Sequence, residues 1–231
     1  MFTYQYQNPE RFLLAVDCII FGFDETGLKL LLVKREIPPE VGNWSLMGGF
    51  VQKGESVDEA AIRVLYRLTG LREVYLEQLH TFGGIDRDPV ERVISVTYFA
   101  LINAANYRPQ DLKQYTAAWF PVHEKPQLIF DHDDMVAMAR ERLKHKARHE
   151  PLGFALLPQK FTMPQLQRLY EALLETELDR GNFNRRVKAL GILQRLNEKE
   201  RGSSKKGAFL YVFDQLRYDE LKEKGIPFAM D

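Results

Sequence analysis

The sequence predicts an α/β domain followed by a small winged helix-turn-helix. Three observations carry this. Apolar runs of strand length dominate the first 125 residues or so. After Pro126 the apolar spacing switches to the helical period. Near the end a helix, helix, helix, strand, basic loop, strand order emerges. Residues 1–150 form the first predicted domain, with a linker helix at about 131–148, and residues 151–231 the second.

In the first domain, FLLAVDCIIFGF (12–23) reads as a buried strand. DETG (24–27) is a turn and LKLLLVKR (28–35) its hairpin partner. Residues 38–44 are a loop, and a helix follows Glu55. Residues 74–82, 93–102 and 117–122 supply further strands. In the second part, Asp131 is the expected N-cap of a helix that Pro151 ends, and Thr162 caps the next. The helix over 178–193 places Phe183, Val187 and Leu190 on one face. QRLN (194–197) and AFLYVF (208–213) are the two strands of the wing.

Composition narrows the function. Hydrophobic content of 45% supports a packed core. The formal net charge is zero, so any attraction to nucleic acid must be local. The longest apolar run carries Asp17 and is too short for a bilayer. The N-terminus lacks a basic signal-peptide region, and the single cysteine, Cys18, fits a reducing compartment. A soluble, cytoplasmic protein is expected, with no membrane partner.

The local charge is pronounced. Residues 180–206 hold nine basic side chains against two acidic ones, Glu198 and Glu200. They fall on the two parts of a winged helix that meet a duplex. Asn182, Asn184, Arg185, Arg186 and Lys188 lie on or near the polar side of the recognition helix, where Asn suits adenine and Arg suits guanine. Arg201, Lys205 and Lys206 in the wing suit phosphate or the minor groove. Lys160 and Thr162 start the preceding helix, whose backbone N–H groups can meet a phosphate.

The segment GGFVQKGESVDEAAIRVLYRLTGL resembles the Nudix box. Gly49, Glu55, Arg63, Leu65, Gly70 and Leu71 match that motif, with LLVKR (31–35) and NWSLMGGFV (43–51) as flanks. Met47 stands where the family usually has proline. The resemblance implies an α/β Nudix-like sandwich in which three further glutamates hold divalent metal over a diphosphate. Here those positions are Val64, Arg67 and Leu68. They share one helix face, and hard Mg²⁺ wants oxygen ligands there. A guanidinium at about 4 Å repels a divalent ion by about 8 kcal/mol in an effective dielectric of about 20. The helix has become packing, and neither metal nor catalysis is expected; the alternative is an active Nudix hydrolase of nucleoside diphosphate derivatives using Glu55 with a displaced acid such as Glu59 or Glu73. Glu55 is expected to make a local hydrogen bond or start the helix.

A degenerate Nudix domain joined to a winged helix resembles the Nudix-related transcriptional regulators. LHTFGGIDRDPVERVISVTYFALI (79–102), FDH (130–132), LLPQKFTMPQLQRLYEALL (156–174) and LDRGNFNRRVKALGIL (178–193) extend the match. The resemblance implies a homodimeric repressor on a palindromic operator in double-stranded DNA, with no cofactor. One branch responds to ADP-ribose, another to L-arabinose. The hydrocarbon on the former metal face favours the neutral sugar, L-arabinose. Candidate effector-binding residues are Arg35, Trp44, Glu55, Asp86, Arg87, Asp88, Arg92 and Tyr98. DRDP (86–89) can equally be a turn held by Asp86 and Pro89. Asp131, His132, Asp133 and Asp134 are read as a capped helix start rather than a metal site.

Overall fold

The computed structural model describes residues 9–107, 116–200 and 207–225. Strand β1 (Leu13–Asp24) is the centre of the first sheet. It pairs in parallel with β6 (Val93–Asn103) along its whole length. Its C-terminal half pairs antiparallel with β2 (Gly27–Lys34), its N-terminal half with β4 (Met47–Phe50). Paired on both sides, β1 is covered on both faces from Ala15 to Phe23, hence its near-continuous hydrophobic run there, while Leu13 and Leu14 are exposed. The β1–β2 turn is held by Asp24 Oδ1, which accepts from the Thr26 backbone N–H at 2.8 Å and the Thr26 hydroxyl at 2.7 Å. Strand β5 (Glu77–Phe82) adds antiparallel to β6, and β7 (Ala117–Pro121) to β2. Short β3 (Trp44–Ser45) pairs the end of β2. The chain from β3 to β4 thus wedges between the diverging ends of β2 and β1, and that divergence opens a cavity.

Helix α1 (Val57–Thr69) covers one face of the sheet. Ser56 and Glu59 close a capping box at its start, and Gly70 at φ 70° ends it in the left-handed region. Ala60, Ala61, Val64, Leu65 and Leu68 pack on Val16, Cys18, Ile20, Met47 and Val96. Helix α2 (His132–His149) covers the other face, burying Met135, Val136, Ala139 and Leu143 against a core that includes Ile19, Phe21 and Leu30.

That second core does not stop at the domain boundary. It runs on into α3 (Met163–Leu174) through Leu166, Leu169 and Tyr170, and into α4 (Arg180–Ala189) through Phe183 and Val187. Leu190 is half-buried beside them. The wing is β9 (Leu193–Glu200) and β10 (Ala208–Phe213), with β8 (Phe161–Thr162) completing an antiparallel sheet. Polar ties bracket α2: Arg142 and Lys146 pair Glu77 of β5, while Arg140 and Lys144 pair Glu175 after α3. The structure is an α/β Nudix-like sandwich followed by a winged helix.

Three local expectations are corrected. Asp131 precedes α2 without capping it by its side chain, because that carboxylate is engaged by Arg87. The strand expected over 74–82 starts only at Glu77. A further helix, α5 (Gln215–Glu223), follows the wing; with no buried residue it gives no apolar periodicity to read.

Leu166 is fully buried where α3 meets the shared core. Leu166→Ala should lower the unfolding free energy by about 2–5 kcal/mol, read as a lower urea midpoint.

Candidate functional site

The cavity at the β1/β2 divergence has a volume of about 490 Å³. A charged cluster forms one wall. Asp17 stands in the buried central strand, 5% exposed. Ser95 Oγ on β6 donates to its Oδ2 at 2.6 Å. Arg87 Nη2 lies 3.7 Å from the same oxygen, and His132 Nε2 lies 3.6 Å from Oδ1. Arg87 also forks onto Asp131, with Nε at 2.9 Å from Oδ2 and Nη2 at 2.8 Å from Oδ1. Buried charge is tolerated only when paired and hydrogen-bonded, and here one cation serves two carboxylates.

Backbone geometry sets this cluster. Gly48 lies opposite Asp17 in the β1–β4 ladder. A Cβ at Gly48 would fall 2.4 Å from Asp17 Oδ1, so only glycine fits. The Leu46 backbone N–H donates to His132 Nδ1 at 3.2 Å, which assigns the ring proton to Nε2, facing Asp17. Burial holds the His132 pKa below its ordinary value, outweighing the opposite pull of Asp17 and Asp131.

The opposite wall is cationic and mixed. Lys34, Arg35, Arg63 and Arg67 line the cavity beside Gly49 and Phe50. Arg35 is held by loop carbonyls, donating to Pro39 O at 2.6 Å and Ile37 O at 3.0 Å. Its guanidinium sits 5.3 Å from the Phe130 ring, which also lines the space. Among the described residues Arg67 makes no ion pair.

The altered Nudix face has a physical reading. Val64 is fully buried, and its Cγ2 lies 2.7 Å from where a Cβ on Gly49 would stand. Leu68 is buried beside it and Arg67 reaches the cavity. Glu55 is occupied: Arg63 donates to both of its oxygens at 2.8 and 2.5 Å, and the Gln52 N–H adds a third bond at 2.8 Å. The Arg63 hydrogen bond leads in pulling the Glu55 carboxyl down to about 2. Among the described residues, no group of three or more His, Cys, Asp or Glu is placed to hold a metal ion.

Of the candidate effector residues, Arg35, Arg87 and Asp88 line the cavity; Trp44, Glu55, Asp86, Arg92 and Tyr98 do not. Trp44 packs edge-on against Phe120 at 4.8 Å. Asp86 is exposed in its loop. Arg92 donates to Gly84 O at 2.6 Å and lies over Phe12. Tyr98 is buried on the α1 side, its hydroxyl donating to Asp58. The DRDP turn is held by Asp88, which accepts from the Val90 N–H at 2.9 Å, rather than by Asp86. Sequence reasoning passed over Asp17 and His132 as wall residues, and Asp131 as the partner of Arg87 behind them. The available signal was Asp17 itself, a lone charge inside a buried strand, which demands partners.

The second candidate site is the face of α4. Asn182, Arg185, Arg186 and Lys188 are exposed on it, with Arg185 Nη2 donating to Asn182 Oδ1 at 2.8 Å. Asn184 is half-buried, and its Oδ1 lacks a hydrogen-bond partner. Thr162 is buried and committed to a capping box with Gln165, so it offers no free hydroxyl. Lys160 pairs with Glu198 of the wing at 2.7 Å, tying β9 to the start of α3. Arg195 and Lys199 sit over the Phe209 ring on the hairpin. Arg201, Lys205 and Lys206 lie outside the described residues.

Two outcomes follow from the buried cluster. Arg87→Ala leaves Asp17 and Asp131 without their cation and should cost about 3–5 kcal/mol, measured by denaturant unfolding. His132 stays neutral when folded but protonates near pH 6.5 when unfolded, so stability should fall as pH drops below that value. The slope is at most about 1.4 kcal/mol per pH unit, and His132→Asn should flatten it between about pH 6.5 and 5, above the carboxylate range.

Comparison with known proteins bears on both sites. Residues 11–140 match the NUDIX domain family, and residues 153–213 match the NrtR DNA-binding winged helix domain. The chain is 34% identical over 224 residues to an ADPR responsive transcriptional repressor of Acinetobacter baylyi, covering 94% of this chain and 89% of that protein. The crystal structure of Shewanella oneidensis NrtR with a 27mer DNA superposes with a TM-score of 0.76 at 31% identity, covering 89% of this chain and 95% of that one. The NUDIX domain of the same protein complexed with ADP ribose gives a TM-score of 0.53 at 32% identity, over 61% and 94% of the two chains. These relatives give the expected L-arabinose branch no support. The chain belongs to the NrtR-type family of transcriptional repressors, with a Nudix effector domain followed by a winged helix.

Proposed function

We propose that this repressor senses ADP-ribose in the cavity beside Asp17, without hydrolysing it, and leaves its operator when the ligand binds. The observation that carries the reading is the charge of the cavity wall. Lys34, Arg35, Arg63, Arg67 and Arg87 line it against Asp17, Glu36 and Asp88. Arg63 and Arg87 already pair with Glu55, Asp17 and Asp131, but among the described residues Lys34, Arg35 and Arg67 make no ion pair, and such cations suit a diphosphate. A neutral pentose does not need them. The expectation of a sugar rested on the hydrocarbon of the former metal face; the fold adds Lys34, Arg35, Arg63 and Arg87 around the same space as Arg67. The names of the relatives point the same way.

Cleavage would need a metal over the diphosphate. Val64 and Leu68 carry no ligand atoms, and Glu55 is bound by Arg63. Arg67 supplies positive charge directly, where a family enzyme would use a cation. On the DNA side, α4 presents Asn182, Arg185, Arg186 and Lys188 to the major groove of a palindromic operator. A second copy of the chain would cover Phe12, Leu14 and Phe50, which are 48%, 38% and 51% exposed on β1 and β4 or next to them. The effector acts by binding the two arrangements of the dimer unequally.

Mobility shift on the promoter beside its own gene tests this. Operator binding should weaken with salt, and replacing Arg185 and Arg186 by alanine should cost about tenfold or more. ADP-ribose should release the DNA where L-arabinose does not. Release by L-arabinose alone would sink the effector assignment, and consumption of ADP-ribose in the presence of Mg²⁺ would sink the non-catalytic one.

A further inference from the structure

Helix α2 starts at the effector cavity and touches the helix-turn-helix from its middle. Its first residue, His132, lies in the effector cavity, and Asp131 just before it is gripped by Arg87. Eight residues on, about 12 Å along the axis, Arg140 reaches the turn of the helix-turn-helix. The residue it meets there is Glu175. Arg140 Nη2 lies 2.7 Å from Glu175 Oε1, and Lys144 Nζ lies 2.7 Å from Oε2. Arg140 and Lys144 are one turn apart on the same face of α2, so they hold the carboxylate from both sides.

Glu175 is an unusual residue for its place. It caps α3 in the left-handed region, at φ 53° and ψ 41°, where glycine is the common choice. A side chain at this position accepts backbone strain. The local turn does not need the Glu175 carboxylate. Glu171 already closes that turn, accepting from the Leu178 N–H at 3.1 Å and from Gln167 at 2.8 Å, while the Thr176 N–H bonds Glu171 O at 3.3 Å. The Glu175 carboxylate looks outward, to α2. Burial alone would raise its pKa, yet the hydrogen bonds from Lys144 and Arg140 hold it low.

The apolar contact between α2 and α3 is non-directional and tolerates sliding. An ion pair held from two sides is directional. We propose that Glu175 is a positioning residue for operator recognition: through Arg140 and Lys144 it makes the recognition helix α4 follow the movement of α2. This rests on the reading of the cavity as an ADP-ribose site. Phosphate oxygens arriving at Arg87 compete with Asp131, the residue that fixes the entry of α2. Freed from Arg87, the first turn of α2 shifts, and the Glu175 clamp carries the shift to the turn that sets α4.

Glu175→Gly tests the clamp without straining the backbone, because glycine adopts the left-handed region freely. Calorimetry gives its ADP-ribose affinity, thermal melting its stability, and operator titration with and without ADP-ribose its response. The variant should bind ADP-ribose as the wild type does and melt within a few degrees of it. The change in operator affinity caused by ADP-ribose should shrink by about fivefold or more. The charge swap Arg140→Glu and Lys144→Glu with Glu175→Arg should recover most of that response, which a residue needed only for packing would not do. A full response in Glu175→Gly, an altered ADP-ribose affinity, or a loss that the swap fails to recover overturns the clamp. A wild-type protein that binds operator but ignores ADP-ribose instead overturns the effector reading, and the clamp with it.

Discussion

A carboxylate in the middle of a buried strand constrains much of this molecule. Asp17 cannot stand in the centre of β1 unless its charge is answered, since an unpaired buried ion costs several kcal/mol. The answer is assembled from distant parts of the chain. Ser95 comes from the neighbouring strand, Arg87 from the loop before it, and His132 from the first turn of α2. Gly48 leaves the space that the carboxylate fills. Satisfying one charge therefore fixes a loop, a helix start and a strand pairing at once. The cavity wall is thus held by ion pairs and hydrogen bonds that a ligand must compete with.

The same cluster explains why α2 belongs to both halves. Its apolar face completes the sandwich and also supports α3, so no solvated gap separates the domains there. Domains joined by a polar linker move independently. Here the shared core makes relative motion a matter of sliding packed helices, which favours a few discrete arrangements over a continuum. Discrete arrangements are what a repressor requires, because DNA half-sites accept only certain spacings of the recognition helices.

Much of the fold was legible from periodicity and caps. β1 announced itself as an apolar run, α1 by an apolar stripe after Glu55 that stops at Gly70, and α3 by the cap Thr162. α5 was not legible, since only Tyr218 and Leu221 are half-buried on it and two positions make too short a stripe to read. The cavity was legible only in part. Arg35, Arg87 and Asp88 were found because they border the motif or a turn. Tyr98 and Trp44 were misplaced for a shared reason: strand alternation says that two faces exist, but not which one borders a cavity. Asp131 was read as a cap because local sequence favours a local partner, whereas its partner is 44 residues away. Pairing across such distances leaves no mark in spacing.

The seam between Val64 and Gly49 restricts both positions. A Cβ on Gly49 would meet the Val64 methyl at 2.7 Å, so β4 keeps glycine where α1 packs closest. A glutamate restored at position 64 alone would enter hydrocarbon with Arg67 as its neighbour, and would find no cation waiting for it. Restoring the glutamate pattern one residue at a time would therefore press a lone carboxylate into packed hydrocarbon, so that tolerance at these positions is set by the seam as a whole.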